Sequence, residues 1–230
     1  MGVATKKPAS NGTVEQAEDA ASILDVPDIR TLEIPQLDLR EITLTLKGIS
    51  PLIVHRWSEK AIKELEGSQT GKAKEQKAPK NPEQEWKDAC YVIPGREDDE
   101  DWQPGKYCLP ASAFKHAFLY GVGQLDDVKG MPKTKATGYF FPTRDPVLMF
   151  ESVELRRDIG RNPTQMIYRP QFNNWSVELE ATFNARSITV EQICSLVDMG
   201  GFAGGIGEWR PSAPKNKSGS YGRFRVTEVR

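Results

Sequence analysis

The sequence contains little cysteine and no paired cysteine motif. Cys90, Cys108 and Cys194 are its three cysteines, and no two of them form a CxxC pair. Disulfide frameworks and zinc sites need matched sets of cysteines, so we predict neither a disulfide nor a metal site. Free thiols are typical of a reducing compartment, and we therefore expect a cytoplasmic protein.

Long apolar runs and the common catalytic signatures are also missing. No stretch approaches the ~18 apolar residues of a membrane-spanning helix, so we predict no membrane partner. The GxSxG, HExxH and Walker patterns do not occur, and we expect no cofactor. Only His55 and His116 could supply acid–base chemistry near neutral pH. The sequence therefore favours binding without catalysis.

Charge is balanced overall but unevenly distributed. The formal net charge is −1, which does not by itself indicate a nucleic-acid partner. Residues 1–38 are polar and mostly acidic, and we predict that they form a disordered or loosely attached arm. The chain after Trp209 is basic, with Glu228 as its only acidic residue. This asymmetry predicts a nucleic-acid-binding surface near the C-terminus, contributed by Arg210, Lys215, Lys217, Arg223, Arg225 and Arg230.

Residues 39–230 show the pattern of a single α+β domain. Helices are predicted after Ser58 and Asn81, from Pro110, and from Thr189 to Gly200 or Gly201. Apolar alternation predicts strands at 40–48, 146–155, 175–184 and 221–229. With the two short helices placed in an insertion, at about 57–106, the order is that of a ferredoxin-like (RRM-like) βαββαβ core. Residues 157–174 are predicted to form a protruding, thumb-like hairpin.

The C-terminal segment is rich in glycine. Gly204, Gly205 and Gly207 follow a helix, whereas a dinucleotide-binding fingerprint follows a strand, so a Rossmann site is excluded. Glycines let a backbone approach a ligand closely. Trp209 and Tyr221 offer flat faces for unpaired bases. The alternative is a flexible surface loop whose tryptophan packs on the core.

Three segments together resemble the RAMP superfamily, the backbone and processing subunits of CRISPR ribonucleoproteins. They are the opening strand ITLTLKGISPLIVHR, the helix element YCLPASAFKHAF and the closing stretch GGIGEWRPSAPKNKSGSYGRFRV. Ala111 and His116 stand where the family has glycines, and residues 208–217 lengthen the closing loop. A lysine-rich insertion after PLIVHRW is also similar to small bacteriophage proteins, which suggests a phage-encoded relative.

The resemblance implies a modified RRM fold that self-associates head to tail along a single strand of guide RNA, with other ribonucleoprotein subunits as further partners. It implies that the thumb carries wedges between bases, and that an accessory finger contains Lys72, Lys74, Lys77 and Lys80. The predicted thumb wedges are Met166, Ile167 and Tyr168. The predicted nucleic-acid-binding residues are His55, Arg56, Ser112, Lys115, His116, Gly204, Gly205, Gly207, Trp209, Arg210, Lys215, Lys217, Ser218, Tyr221 and Arg223.

Three other functions fit the same residues. The first is a phage protein that binds or anneals single-stranded DNA. The second is a RAMP-type endoribonuclease in which His55 acts as general acid or base. The third is an inhibitor or protein-interaction module that copies the fold and has no affinity for nucleic acid.

Overall fold

The structure is a computed structural model that describes residues 36–70, 81–125, 132–159, 166–214 and 218–230. The acidic arm up to residue 35, the predicted lysine finger, the thumb tip at 160–165, Lys215 and Lys217 lie outside the described residues. The elements in chain order are β1 (Leu39–Gly48), β2 (Leu52–Ile53), α1 (Glu59–Gln69), α2 (Pro82–Asp88), β3 (Tyr91–Val92), β4 (Tyr107–Cys108), α3 (Ala111–Gly123), α4 (Lys133–Ala136), β5 (Phe140–Pro142), β6 (Ser152–Ile159), β7 (Met166–Asn173), β8 (Ser176–Asn184), α5 (Val190–Ala203) and β9 (Phe224–Val229).

The main sheet has four antiparallel strands in the order β5-β8-β1-β9. Helix α3 lies between β1 and β5 along the chain, and α5 lies between β8 and β9. This is the ferredoxin-like βαββαβ arrangement, so the predicted α+β fold class is confirmed. Alternation along β1 buries Ile42, Leu44 and Leu46 on the face that the helices cover.

The second core strand is not where the sequence placed it. The sequence predicts this strand at residues 146–155. In the structure the strand that pairs with β8 on this side is β5, at Phe140–Pro142. Val147 and Met149 make only isolated bridges, to Cys108 and Ser176, and the chain then enters β6. Leu148 and Phe150 are buried while Val147 and Met149 are exposed, so this bridging segment has the same alternation as a full strand.

The predicted hairpin forms a second sheet. Strands β6 and β7 pair antiparallel from Ser152↔Asn173 to Ile159↔Met166. The short strand β2 joins the other side of β7 through Leu52↔Phe172 and Ile53↔Gln171. This pairing brings the chain after β1 next to the hairpin, although the two are more than a hundred residues apart in sequence.

Helices α3 and α5 cross closely at glycines. A Cβ atom on Gly200 would collide with the carbonyl oxygen of Ala117, and one on Gly121 would collide with the carbonyl oxygen of Leu196. The prediction that α5 ends at Gly200 or Gly201 is therefore wrong. The helix continues to Ala203, with Gly200 at the helix crossing and Gly201 packed against Phe224 of β9.

Two features are absent from the part of the chain that the structure describes: a membrane-spanning helix and a cluster of metal ligands. Within that part, no helix has both the length and the apolar character required to cross a membrane. The same residues contain no group of three or more histidine, cysteine or acidic side chains arranged to hold a metal ion.

Candidate functional site

A pocket of about 370 Å³ opens at the end of the main sheet where β1 finishes. Three stretches of chain form its walls: β2 with the residues that follow it, the start of α3, and the C-terminal loop after α5. Tyr91 contributes from β3, and burial raises the pKa of its phenol, which keeps the hydroxyl protonated. The lining residues are Leu52, Val54, His55, Tyr91, Leu109, Pro110, Ala113, Ile206, Gly207, Glu208, Trp209, Arg210, Ala213 and Pro214.

The C-terminal loop is fixed to the rest of the domain by its backbone. Glu208 N–H donates to the carbonyl of Ile53 at 2.9 Å, and Gly222 N–H donates to the carbonyl of Pro51 at 2.7 Å. Gly207 has a φ of +77°, and a Cβ there would collide with the same Ile53 carbonyl. Glycine is needed at this position for both backbone conformation and close approach. The described part of the loop is therefore an ordered wall of the pocket.

His55, Arg169 and Glu208 form a charged cluster at the pocket wall. Arg169 donates from Nε to Glu208 Oε2 at 2.7 Å, and its Nη2 lies 2.9 Å from His55 Nε2. His55 Nδ1 lies 3.5 Å from Glu208 Oε2. Because a guanidinium can only donate, Nε2 accepts from Arg169 and Nδ1 carries the proton that faces Glu208. Both nitrogens of His55 are thus occupied.

The pKa of Glu208 reflects this environment. Burial alone would raise the pKa of the carboxyl group. The hydrogen bond from His55 and the positive charge of Arg169 outweigh burial and lower the pKa to about 2. Glu208 is therefore ionised at neutral pH, and its charge is compensated inside the wall.

A second cluster surrounds Arg156 on the hairpin. Its guanidinium donates to the Tyr221 hydroxyl at 2.5 Å, to Gln171 at 3.0 Å and to Asp158 at 3.1 Å. It also lies 5.4 Å from the ring centroid of Trp209 and 5.3 Å from that of Tyr221. The two aromatic residues predicted to stack on bases therefore hold a guanidinium between the loop and the hairpin.

Arg56 and Trp57 directly follow His55, which lines the pocket, and we call these two positions the mouth of the pocket. Both side chains are exposed, Trp57 to 55%. The Trp57 ring lies parallel to the His55 ring, with an interplanar angle of 8° and centroids 6.5 Å apart. Inside the mouth, Arg210 donates to the Gly207 carbonyl at 2.9 Å and to Ser212 at 3.1 Å. One exposed cation and one exposed aromatic ring thus share the entrance.

The predicted residues of α3 lie outside this pocket. Ser112 and His116 are exposed on the helix. The Lys115 ammonium donates to the carbonyls of Thr137, at 2.6 Å, and Phe140, and burial lowers its pKa. Its predicted role in phosphate binding stays a prediction, and a phosphate would compete with these two carbonyls.

The remaining predicted residues are dispersed. Arg223 donates to the Phe202 carbonyl at 3.0 Å and lies over the Phe202 ring. Ser218 is exposed in the C-terminal part of the loop after α5. Of the thumb residues, Met166 is 41% exposed, Ile167 is half-buried, and Tyr168 packs edge-on against Trp86. Gly204 ends α5, and Gly205 has a φ of +65°.

Four residues of the site were missed from the sequence: Trp57, Arg156, Arg169 and Glu208. Trp57 had a usable signal, since it follows His55 and Arg56 directly. The other three have none, because they meet their partners only after β2 pairs with β7 and the loop packs on the hairpin.

The open face of the main sheet offers a less suitable surface. Threonine and glutamate dominate it, with Thr43 opposite Glu180 and Thr45 opposite Glu178. Arg144 pairs with Glu180, and Arg230 pairs with Glu178. An RRM-type surface uses aromatic residues on this face, and this one is dominated by short polar and acidic side chains.

Comparisons with known proteins give only a distant likeness. No protein-family model matches the chain, and no curated protein matches it. The crystal structure of Cmr6 from Pyrococcus furiosus is similar at a TM-score of 0.37 and 14% identity, covering 84% of this chain and all of that one. Such a likeness does not establish function. The architecture agrees with the fold that the RAMP resemblance implied, and membership of that superfamily stays a prediction.

Proposed function

We propose that this protein binds single-stranded nucleic acid, with RNA preferred, at the pocket and its mouth. The observation that carries the proposal is the mouth, where exposed Arg56 and exposed Trp57 directly follow His55, a residue of the pocket wall. A cation beside an aromatic ring is the combination that binds the phosphate and base of an unpaired strand.

Charge compensation in the walls supports this proposal. Glu208 would repel a phosphate if it were free, but the positive charge of Arg169 compensates it and the Nδ1–H of His55 faces it. Asp158 is likewise paired with Arg156. The exposed guanidinium of Arg56 can then neutralise a phosphate and release a counterion, which makes affinity fall as salt rises.

The preference for RNA rests on polar groups inside the pocket. The Tyr91 hydroxyl and the His55 ring both line it. A ribose 2′-hydroxyl both donates and accepts hydrogen bonds, and a contact to it is what distinguishes RNA from DNA at one position. Because both nitrogens of His55 are occupied, we propose that the Tyr91 hydroxyl makes that contact.

The geometry of His55 favours binding over cleavage. A general acid or base must exchange a proton with the substrate, yet Nε2 accepts from Arg169 and Nδ1 faces Glu208. Catalysis would require one of these interactions to break.

Binding by several copies along one strand, which the RAMP resemblance implies, is part of the proposal.

The test is a titration of the protein with matched single-stranded RNA and DNA at several salt concentrations. We expect tighter binding of RNA, and an Arg56→Ala variant that binds more weakly with a log–log salt slope reduced by about 0.7. Arg186→Ala is the matched control. Arg186 is exposed in the turn after β8, and the pairing of Leu39 with Asn184 places that turn at the opposite end of the sheet.

Each other outcome identifies a different function. Equal or tighter binding of DNA would indicate the DNA-binding alternative, and RNA cleavage lost in His55→Ala would indicate an endoribonuclease. No binding at low salt would indicate a protein-interaction module.

Light scattering with RNA of increasing length measures self-association. The number of bound copies should rise with the length of the RNA.

A further inference from the structure

Trp57 lies on a stretch of main chain whose neighbouring residues are hydrogen-bonded on both sides. The backbone N–H of the preceding residue, Arg56, donates to the Ala89 carbonyl at 2.8 Å. The next residue, Ser58, caps α1 by accepting from the Ala61 N–H at 3.2 Å. The main chain at Trp57 is therefore anchored before and after the residue, although the side chain itself is 55% exposed.

The ring next to Trp57 is fixed as well. Trp57 lies parallel to His55, and the His55 imidazole is fixed by Arg169 on one nitrogen and Glu208 on the other. A flat ligand that contacts Trp57 would extend the existing stack of Trp57 on His55. The His55 ring is already fixed and does not have to be ordered when the ligand binds. Preorganisation of this kind lowers the entropic cost of association.

Two other exposed aromatic rings lack this arrangement. Phe141 is 51% exposed and has the Lys115 ammonium 4.0 Å from its centroid. Phe202 is 53% exposed and has the Arg223 guanidinium 4.2 Å from its centroid. Each of these rings already has a cation over one face, whereas the partner of Trp57 is another aromatic ring beside the pocket.

We propose that Trp57 is the stacking platform for one unpaired nucleobase, with the adjoining phosphate at Arg56. This inference rests on the proposed function and adds to it the position of a base. Every base has a π face, so the platform should accept all four bases with little discrimination. The sequence-independent contact would set the position of the strand before it reaches the pocket.

The first experiment compares Trp57→Ala with Trp57→Phe in an RNA-binding titration. Loss of one base–aromatic stack should weaken binding about 5- to 150-fold in the alanine variant. The phenylalanine variant keeps a ring and should recover most of the affinity. Phe141→Ala is the matched control, because it removes an equally exposed ring near the far end of β8 and should bind as the wild type does.

The second experiment locates the base. A 2-aminopurine placed at successive positions of the oligonucleotide should be quenched at one position, and this quenching should disappear in Trp57→Ala but persist in Trp57→Phe. An abasic nucleotide at that position should weaken binding by the wild type and have no further effect in Trp57→Ala. A purely structural role for Trp57 would not produce this coupling.

The outcomes separate the two proposals. If Trp57→Ala folds, as shown by an unchanged thermal melt, and binds RNA as tightly as the wild type, the platform is wrong and the proposed function stands. A weakened Trp57→Ala that stays fully sensitive to the abasic site would also overturn the platform. If the wild type binds no RNA or DNA at low salt, the proposed function itself is wrong.

Discussion

Glu208 shows how a single carboxylate can lie in a pocket proposed to bind a polyanion. Its two partners come from distant parts of the chain, Arg169 from β7 and His55 from the segment after β2. They lower the pKa of Glu208 to about 2, so the folded protein favours the ionised form. The charge therefore stabilises the fold and orients both partners.

The depressed pKa predicts a specific acid sensitivity. A carboxyl group whose folded pKa lies below its unfolded value, here 4.5, contributes stability that is fully present above that value. This contribution is lost as the pH falls toward about 2. We expect the free energy of unfolding to drop less in Glu208→Gln than in the wild type between about pH 5 and about pH 3.

Urea unfolding at the two pH values measures this difference at constant ionic strength. Glu228→Gln, which removes an exposed carboxyl group, is the control and should retain the pH dependence of the wild type. Parallel pH profiles for Glu208→Gln and the wild type would show that the cluster does not hold Glu208 ionised.

At the level of elements, the close crossing of α3 and α5 determines how the helices pack on the main sheet. Gly121 and Gly200 let the two backbones approach to a distance that no other residue permits. The same helices cover the buried face of the sheet, and the first turn of α3 lines the pocket through Pro110 and Ala113. A substitution that shifts the crossing of α3 and α5 should therefore also alter the pocket.

Opposite effects are predicted for two glycine-to-alanine substitutions. Gly200→Ala places a methyl group against the carbonyl of Ala117, and we expect a loss of about 1–3 kcal/mol or more from overpacking. Gly67→Ala lies in α1 with no atom within 4 Å of the new Cβ. It should stabilise the protein by about 0.5–1 kcal/mol, because alanine has the higher helix propensity.

Chemical denaturation of both variants measures the difference. Gly67→Ala is the internal control, because the chemical change is identical and only the packing environment differs. Equal effects of the two substitutions would mean that the close helix crossing is not maintained in solution.

For the whole molecule, the arrangement places the pocket and its mouth at one end of the sheet. The described cations at the opposite end and on the open face are largely paired, as Arg144 is with Glu180 and Arg230 with Glu178. Balanced charge elsewhere leaves a localised binding surface, which explains how a chain with a formal net charge of −1 is compatible with a nucleic-acid ligand.

Binding at this surface should raise the melting temperature. A ligand at about 100 times its Kd stabilises the folded state by about 2.7 kcal/mol. For a protein of this size each kcal/mol corresponds to about 2–4 °C, so single-stranded RNA should raise the Tm by about 5–10 °C. Differential scanning fluorimetry measures the shift. The increase should persist in Arg186→Ala and shrink at high salt, and a salt-independent increase would contradict binding through phosphates.

The sequence by itself determined much of the local structure and the order of the core elements, although it predicted the second core strand at 146–155 and not at β5. Alternating apolar residues marked β1 and β8, and the caps Ser58, Asn81 and Thr189 marked the starts of three helices. These features depend on neighbours within a few residues, so their physical causes are visible in a single sequence. The order of strands and helices then gave the ferredoxin-like core.

Only the tertiary structure decided which residues share the site. Arg169 lies 114 positions from His55, and Arg156 lies 65 positions from Tyr221. No local pattern connects such residues, because their meeting depends on β2 pairing with β7 and on the loop packing against the hairpin. Trp209 and Tyr221, which were predicted to stack on bases, instead hold Arg156, whereas Trp57 is exposed.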